Sequence, residues 1–184
     1  MNHIGTIRLE TDRLILRRFT MDDAEGMLNN WASDDEVTKY LTWPTHQNIE
    51  TMLPNDKPRQ YHSDNAKSAF YQWIIEIKET QELIGNISVV KVIDETDSLE
   101  LGWVIGRKYW GKGYTAEAAR VIIEVLFDKV GANCIYAAHD VNNPNSGRVM
   151  QKIGMKYEGT LRQSNRNNQG IVDSARYSIL RSER

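Results

Sequence analysis

The sequence predicts a mixed α/β sheet flanked by helices, and three observations carry that reading. Residues 70–105 read as three strands joined by short turns, an antiparallel meander. Residues 99–139 read as strand, helix, strand, which makes a parallel pair, and residues 157–181 read as a closing pair of strands. At 184 residues the chain suits one domain, spanning 1–184, with enough interior for a sheet covered on both sides.

Taken in order, Thr11 to Thr20 alternates Leu14, Leu16 and Phe19 with basic residues, the pattern of a strand with one polar face. Asp22-Asp23 then reads as the cap of a helix with Ala24, Met27, Leu28 and Trp31 along one side, and Asp34-Asp35 opens a second short helix running to Leu41. Residues 42–68, with Pro44, Pro54 and Pro58, form the least regular stretch: either a binding loop or a solvated connection with a helix from about Asn48. His46 and His62 lie there without zinc-site spacing and read as surface residues.

Phe70 to Lys78 and Leu83 to Val92 form a hairpin, Asp94 to Ser98 turns, and Leu99 to Ile105 follows as a buried strand. From Thr115 to Val130, Ala118, Ala119, Ile122, Ile123 and Leu126 recur at helical spacing opposite Glu117, Arg120, Glu124 and Asp128. Cys134 to His139 is the next strand. Asn143 followed by Pro144 signals a helix start, Val149, Met150 and Ile153 its apolar stripe, and Gly154-Met155 its end. Tyr157 to Arg162 and Ile171 to Arg181 close the chain around the polar loop SNRNNQG.

Composition narrows the partners. Formal net charge is −2 and no basic run exceeds Arg17-Arg18, so a nucleic-acid footprint is absent and a small molecule or peptide is expected. No apolar run reaches the length of a signal peptide core or a membrane span, which points to a cytoplasmic protein; oligomers stay possible. The single cysteine, Cys134, excludes an internal disulfide and reads as a packed thiol rather than a nucleophile.

The segment richest in chemistry is Arg107 to Tyr114, a loop with Gly111 and Gly113 around Lys112 between a strand and a long helix. Glycines let backbone N–H groups turn inward, and the first turn of a helix carries free N–H groups and partial positive charge, so the junction suits a phosphate. Gly106 to Gly113 comes close to the nucleotide loop G-x-x-x-x-G-K-[ST], but Gly113 stands where that loop needs a magnesium-binding hydroxyl, and the meander argues against a purely parallel nucleotide-binding sheet. A Ser146, His139, Asp140 hydrolase can be assembled on paper but lacks a G-x-S-x-G elbow.

The same loop, Trp110-Gly-Lys-Gly-Tyr-Thr115, resembles the acetyl-coenzyme A motif [QR]-x-x-G-x-[GA] of the GNAT superfamily of N-acetyltransferases, with Trp110 in place of Gln or Arg and Thr115 in place of Gly or Ala. Asn143, Ser146 and Gly154-Met155 match a second stretch of that superfamily, and Tyr157 to Arg162 with Asp173 to Tyr177 resembles its Rim-type branch, which acetylates ribosomal-protein N-termini. The resemblance implies a sheet that splays between its fourth and fifth strands to admit pantetheine. It also implies acetyl-CoA as co-substrate, no metal, and an amine acceptor: a peptide or protein α-amine, or a small amine such as a polyamine, amino acid or antibiotic. Cofactor contacts are implied at Trp103, Val104, Gly106, Gly111, Lys112, Gly113, Tyr114, Thr115, Ala116, Asn143 and Ser146, with the Val104 N–H holding the oxyanion.

For the chemistry, Glu100 stands at the base-glutamate offset before Trp110 seen in histone-acetylating relatives. Partial desolvation among Leu99, Leu101 and Trp103 would favour proton uptake; the alternative is a strand-end carboxylate facing water. Relatives place a thiolate-protonating tyrosine where this chain has Met150, so Ser146 is the first candidate donor, against a helix-start serine bonding its own backbone, and Tyr177 the second if it faces the cleft. The missing tyrosine also leaves open a domain that binds acyl-CoA without turnover.

Overall fold

A computed structural model of the chain describes residues 1–52 and 69–184. Eight strands, β1 (Leu9–Glu10), β2 (Leu14–Arg17), β3 (Gln72–Ile77), β4 (Leu83–Ile93), β5 (Ser98–Ile105), β6 (Cys134–Asp140), β7 (Lys156–Asn167) and β8 (Gly170–Leu180), form one sheet in the order β1-β2-β3-β4-β5-β6-β8-β7. Among the described strands only β5 and β6 run parallel, as a helical crossover between them requires. The helices are α1 (Ala24–Met27), α2 (Asp35–Thr38), α3 (Ile49–Met52), α4 (Tyr114–Val125) and α5 (Pro144–Lys152); α1 and α4 continue through wider π turns over Leu28–Ala32 and Leu126–Val130.

Period-two alternation divides the strand side chains between two cores. On one face Leu14, Leu16, Ile75, Leu99, Leu101 and Ile135 pack under Ala118, Ala119, Ile122 and Phe127 of the long helix and Met150 and Ile153 of α5. On the other face Ile74 and Val104 pack with Phe19, Trp31 and Val37 around α1 and α2. The consequence for function is that β5 is covered on both faces while its end opens between the two helical layers.

Several boundaries differ from the sequence reading. A short turn, Met21–Asp23, precedes α1 and is capped by Thr20, with the buried Asp23 reaching back to the Thr20 N–H at 2.7 Å; Asp23 holds the position before α1, but its side chain serves the earlier turn. The helix from Asp34 ends at Thr38 rather than Leu41. The two-residue β1 carries too short a pattern to read from sequence. The polar stretch taken for a loop is strand: β7 runs to Asn167 and β8 begins at Gly170. Because β7 is a sheet edge exposed along most of its length, backbone pairing rather than an apolar period holds it. Of the irregular 42–68 stretch, Ile49–Met52 is helical and His46 is half-buried and stacked on Trp43, not a surface residue; His62 and the rest from 53 lie outside the described residues.

Candidate active site

The site begins where β5 and β6 part. Their register runs Ser98↔Cys134, Leu99↔Ile135, Glu100↔Tyr136 and then stops. Beyond it lies a cleft of about 1070 Å³, lined by Glu100 to Ile105, by Ala138 to Asp140, and by the first turns of α4 and α5.

Backbone direction along β5 follows from its antiparallel partner. The Gly106 N–H donates to the Ile84 carbonyl at 2.9 Å. Bonded pairs recur at every second residue of such a ladder, so Val104 with Asn86 and Gly102 with Ser88 also turn their N–H and C=O groups toward β4. The Val104 carbonyl lies close enough to β4 that a Cβ on Gly85 would come within 2.1 Å of it. The alternate set, Leu101, Trp103 and Ile105, faces the slot, and the Trp110 indole N–H takes the Ile105 carbonyl at 2.6 Å. Two expected roles therefore move. Val104 gives its N–H to β4 and its side chain to the α1 core, which makes Trp103 the residue presenting backbone donor and acceptor to the slot. Gly106 does not reach toward a ligand; a Cβ there would meet the Asn30 carbonyl at 2.3 Å, so glycine is required for packing.

At the start of α4, Gly111 and Gly113 take φ of 75° and 80°, a left-handed conformation that L side chains resist. No side chain caps this helix, and Gly113, Tyr114, Thr115 and Ala116 all line the cleft. The first intrahelical bond runs from the Glu117 N–H to the Gly113 carbonyl at 3.1 Å, which leaves the preceding N–H groups without intrahelical acceptors. An uncapped N-terminus of a twelve-residue helix facing a cleft fits a pyrophosphate. Lys112, expected among the cofactor contacts, does not line the cleft; its ammonium sits over the Tyr109 ring at 5.7 Å.

The start of α5 has another character. Asn143 occupies the cap position but its side chain caps nothing; its amide donates to Ser146 Oγ at 3.3 Å, and Ser146 lines the cleft. Met150 is buried under the helix. Tyr177 does not face the cleft: paired with Ala137, it packs into the core beside His139 and Tyr157, with ring centroids 5.8 and 5.3 Å away. His139 binds the Asp140 carbonyl through Nδ1 at 2.7 Å and its buried Nε2 has no partner among the described residues, so no hydrolase triad with Ser146 forms.

Glu100 opens toward the opposite face of the sheet from Leu99 and Leu101, beside Tyr136 of the adjoining strand. Burial first, and the nearby Glu100 carboxylate second, push the Tyr136 phenol up, and the Arg176 guanidinium lies over its ring at 3.8 Å. On this side the cleft is bordered by Gln72, Asn86 and Ser88, which sequence reasoning missed because nothing in the spacing of lone polar residues within apolar strands marks a site. Its mouth is bridged. Tyr40 Oη donates to the Asn142 carbonyl at 2.9 Å, Asn168 Nδ2 donates to the Thr38 and Trp43 carbonyls at 2.9 and 2.8 Å, and Asn167 Nδ2 donates to the buried Asp140 carboxylate at 2.8 Å.

A parted parallel strand pair, with an uncapped helix N-terminus at one end and a carboxylate on the far face, suits an extended, phosphate-bearing ligand. The model of the GNAT acetyltransferase domain matches residues 13–156, and the chain belongs to that family. It is an acetyl-CoA-dependent N-acetyltransferase. Among its relatives are YoaA of Bacillus subtilis, an uncharacterized N-acetyltransferase, 32% identical over 94% of this chain and 96% of that protein. The Escherichia coli ribosomal protein uS5-alanine N-acetyltransferase is 26% identical over 86% of this chain and 82% of its own length. A GNAT acetyltransferase structure from Bacillus anthracis superposes with TM-score 0.80 at 28% identity, covering 96% of this chain and all of that one, 100%. A spermidine N-acetyltransferase from Vibrio cholerae, solved with CoA and spermine, shares the fold at TM-score 0.76 and 21% identity, covering 94% and 98%. Among the described residues no helix is long and apolar enough to cross a membrane, and no cluster of His, Cys, Asp and Glu could hold a metal.

Proposed function

We propose that the chain acetylates a free α-amino group at the end of a peptide, with Glu100 as the proton acceptor. The observation that carries this reading is the acceptor side of the slot, where Glu100 stands among the neutral hydrogen-bonding side chains of Gln72, Asn86 and Ser88. An α-amine of ordinary pKa, about 7.7 to 8.0, needs one carboxylate to become neutral, and the peptide groups behind it need neutral donors and acceptors. A polycation would call for several free carboxylates; the cleft also holds Glu36 and Asp140, but Asp140 is taken by the Asn167 amide at 2.8 Å, and Lys39, Arg148 and Lys152 line the same cleft with the opposite charge. The bridged mouth favours an acceptor that enters end-on, as a chain terminus does.

In the transfer, the amine nitrogen attacks the thioester carbonyl while Glu100 takes its proton, the C–N bond forms and the C–S bond breaks. The Trp103 N–H, facing the slot, is the oxyanion donor in place of Val104. Ser146 attends the departing sulfur. A serine hydroxyl is a far weaker acid than a thiol, so its part is to hold the thiolate by a hydrogen bond while a proton arrives from water.

The test is a turnover screen of peptides with free α-amines against spermidine and other small amines, repeated with Glu100→Gln. The expected result is faster turnover of peptides, and a kcat for the variant lower by about 10²- to 10⁴-fold with unchanged CoA affinity and no acid limb in the pH profile. Preference for polyamines would overturn the acceptor class. An unaltered kcat in Glu100→Gln would reduce that carboxylate to a structural role.

A further inference from the structure

One side-chain network touches the anion cradle from outside the cleft. Arg13, at the edge of β2, donates from Nη1 and Nη2 to the Lys112 carbonyl at 3.2 and 3.3 Å. Its Nε donates to Glu117 Oε2 at 2.7 Å, and its guanidinium lies over the Tyr114 ring at 4.4 Å. Glu117 is held a second time: Thr11 Oγ1 accepts from the Leu14 N–H at 2.9 Å and donates to Glu117 Oε1 at 2.5 Å, while the Arg13 N–H donates to the same oxygen at 3.2 Å.

We propose that Arg13 is a positioning residue for the pyrophosphate cradle, fixing the Lys112–Gly113 peptide so that the Gly113 N–H is turned into the cleft. The inference rests on α4 as the coenzyme A site. The argument is planar geometry. In a trans peptide the carbonyl and the following N–H point in opposite directions, and the described chain has no cis bond. Gripping the Lys112 carbonyl from the β2 side therefore drives the Gly113 N–H to the other side, where Gly113 lines the cleft and Lys112 does not. Since both glycines sit in left-handed conformations and a Cβ on Gly111 would touch nothing, the loop has little packing of its own to choose this peptide orientation.

The pair also settles a charge conflict. Glu117 sits in the first turn of α4, where a free carboxylate would repel a bound anion. Arg13 neutralises it and directs both of its oxygens away from the N-terminal donors. Lysine cannot substitute, because a single ammonium cannot bond the Lys112 carbonyl twice, reach Glu117 through a third N–H and stack on Tyr114.

Calorimetry with coenzyme A, 3′-dephospho-coenzyme A and inorganic pyrophosphate tests this on the full chain, with Arg13→Ala and Arg13→Lys. Expected is a dissociation constant raised by about 10- to 100-fold for Arg13→Ala, the scale of a misplaced binding group. The factor should be equal for coenzyme A and its 3′-dephospho form, persist at high salt, and be little rescued by Arg13→Lys. Thr11→Val, which leaves Arg13 itself intact, should give a smaller loss in the same direction, and covers the case in which Arg13→Ala fails to fold. Binding by both Thr11→Val and Arg13→Ala as tight as wild type overturns the clamp alone. Full rescue by Arg13→Lys, with a loss that fades as salt screens it, also overturns it and leaves a simple charge attraction. A wild-type chain that binds no coenzyme A overturns the cradle and the clamp together.

Discussion

Two helices start against the same slot, and they start in opposite ways. α4 begins at a left-handed glycine with no capping side chain, and its first N–H groups open into the cleft, with their orientation set from outside by Arg13. At α5 two of the first donors are already removed or spent. Pro144 has no N–H, the Ser146 N–H goes to the Asn143 carbonyl at 3.2 Å, and what faces the cleft is a hydroxyl tethered to the Asn143 amide. A helix N-terminus is thus not by itself an anion site. The accounting of its N–H groups decides, and the proposed function assigns one end of the slot to charge and the other to a leaving group.

Substitutions at the two starts should separate those roles. The largest effect is expected for Gly113→Val: a β-branched residue at φ 80° forces the junction to rebuild, and coenzyme A affinity should fall by about 100-fold in calorimetry. Ser146→Ala should move kcat rather than binding, by about 10-fold, with KM for acetyl-CoA changed less than about threefold; a KM effect as large as the kcat effect would make α5 a second cradle.

Acid should also distinguish the helices. Burial alone would raise the Glu117 pKa, but the bonds from Thr11 and Arg13 outweigh it and hold the carboxyl below its usual range. A depressed pKa stabilises above the unfolded value of about 4.3, and that contribution is lost as pH falls through the folded value. Hydrogen-exchange protection at the Glu117 amide and in the turn that follows it should therefore drop below about pH 4. α5, which has no acidic residue in its first turn, should show no matching step. The smallest effect is expected for Pro144→Ala, which restores a donor at α5: coenzyme A affinity should stay within about twofold, because one added N–H does not make an anion site. A marked gain would break the contrast.

How much of this could be read in the sequence divides along physical lines. The meander, the glycine junction and the long helix were legible because apolar periodicity and left-handed glycines leave local marks. The first half of β7, Tyr157 to Arg162, was legible too, but its continuation to Asn167 was not, since an exposed edge strand needs no apolar alternation. The choice between Val104 and Trp103 could not be read either. Which of two neighbouring backbone groups faces the slot depends on the β4 register, and a shift of one residue inverts it. Tyr177 failed for the same reason, its side chain sharing a face with Ala137. The grip of Arg13 on Glu117 joins residues 104 positions apart, beyond the reach of any local pattern.

The seam between β5 and β6 has a thermodynamic consequence. Three register pairs join a five-strand half to a three-strand half, and past Glu100↔Tyr136 the inner edge of each half has no neighbouring strand. An extended ligand lying there with amide groups of its own acts as a missing strand, so its binding energy is also cohesion between the halves. At a concentration one hundred times its dissociation constant such a ligand adds about 2.7 kcal/mol to the free energy of unfolding. Because one core under the long helix spans both halves, the gain should appear as a higher midpoint of a single cooperative transition when the protein is loaded.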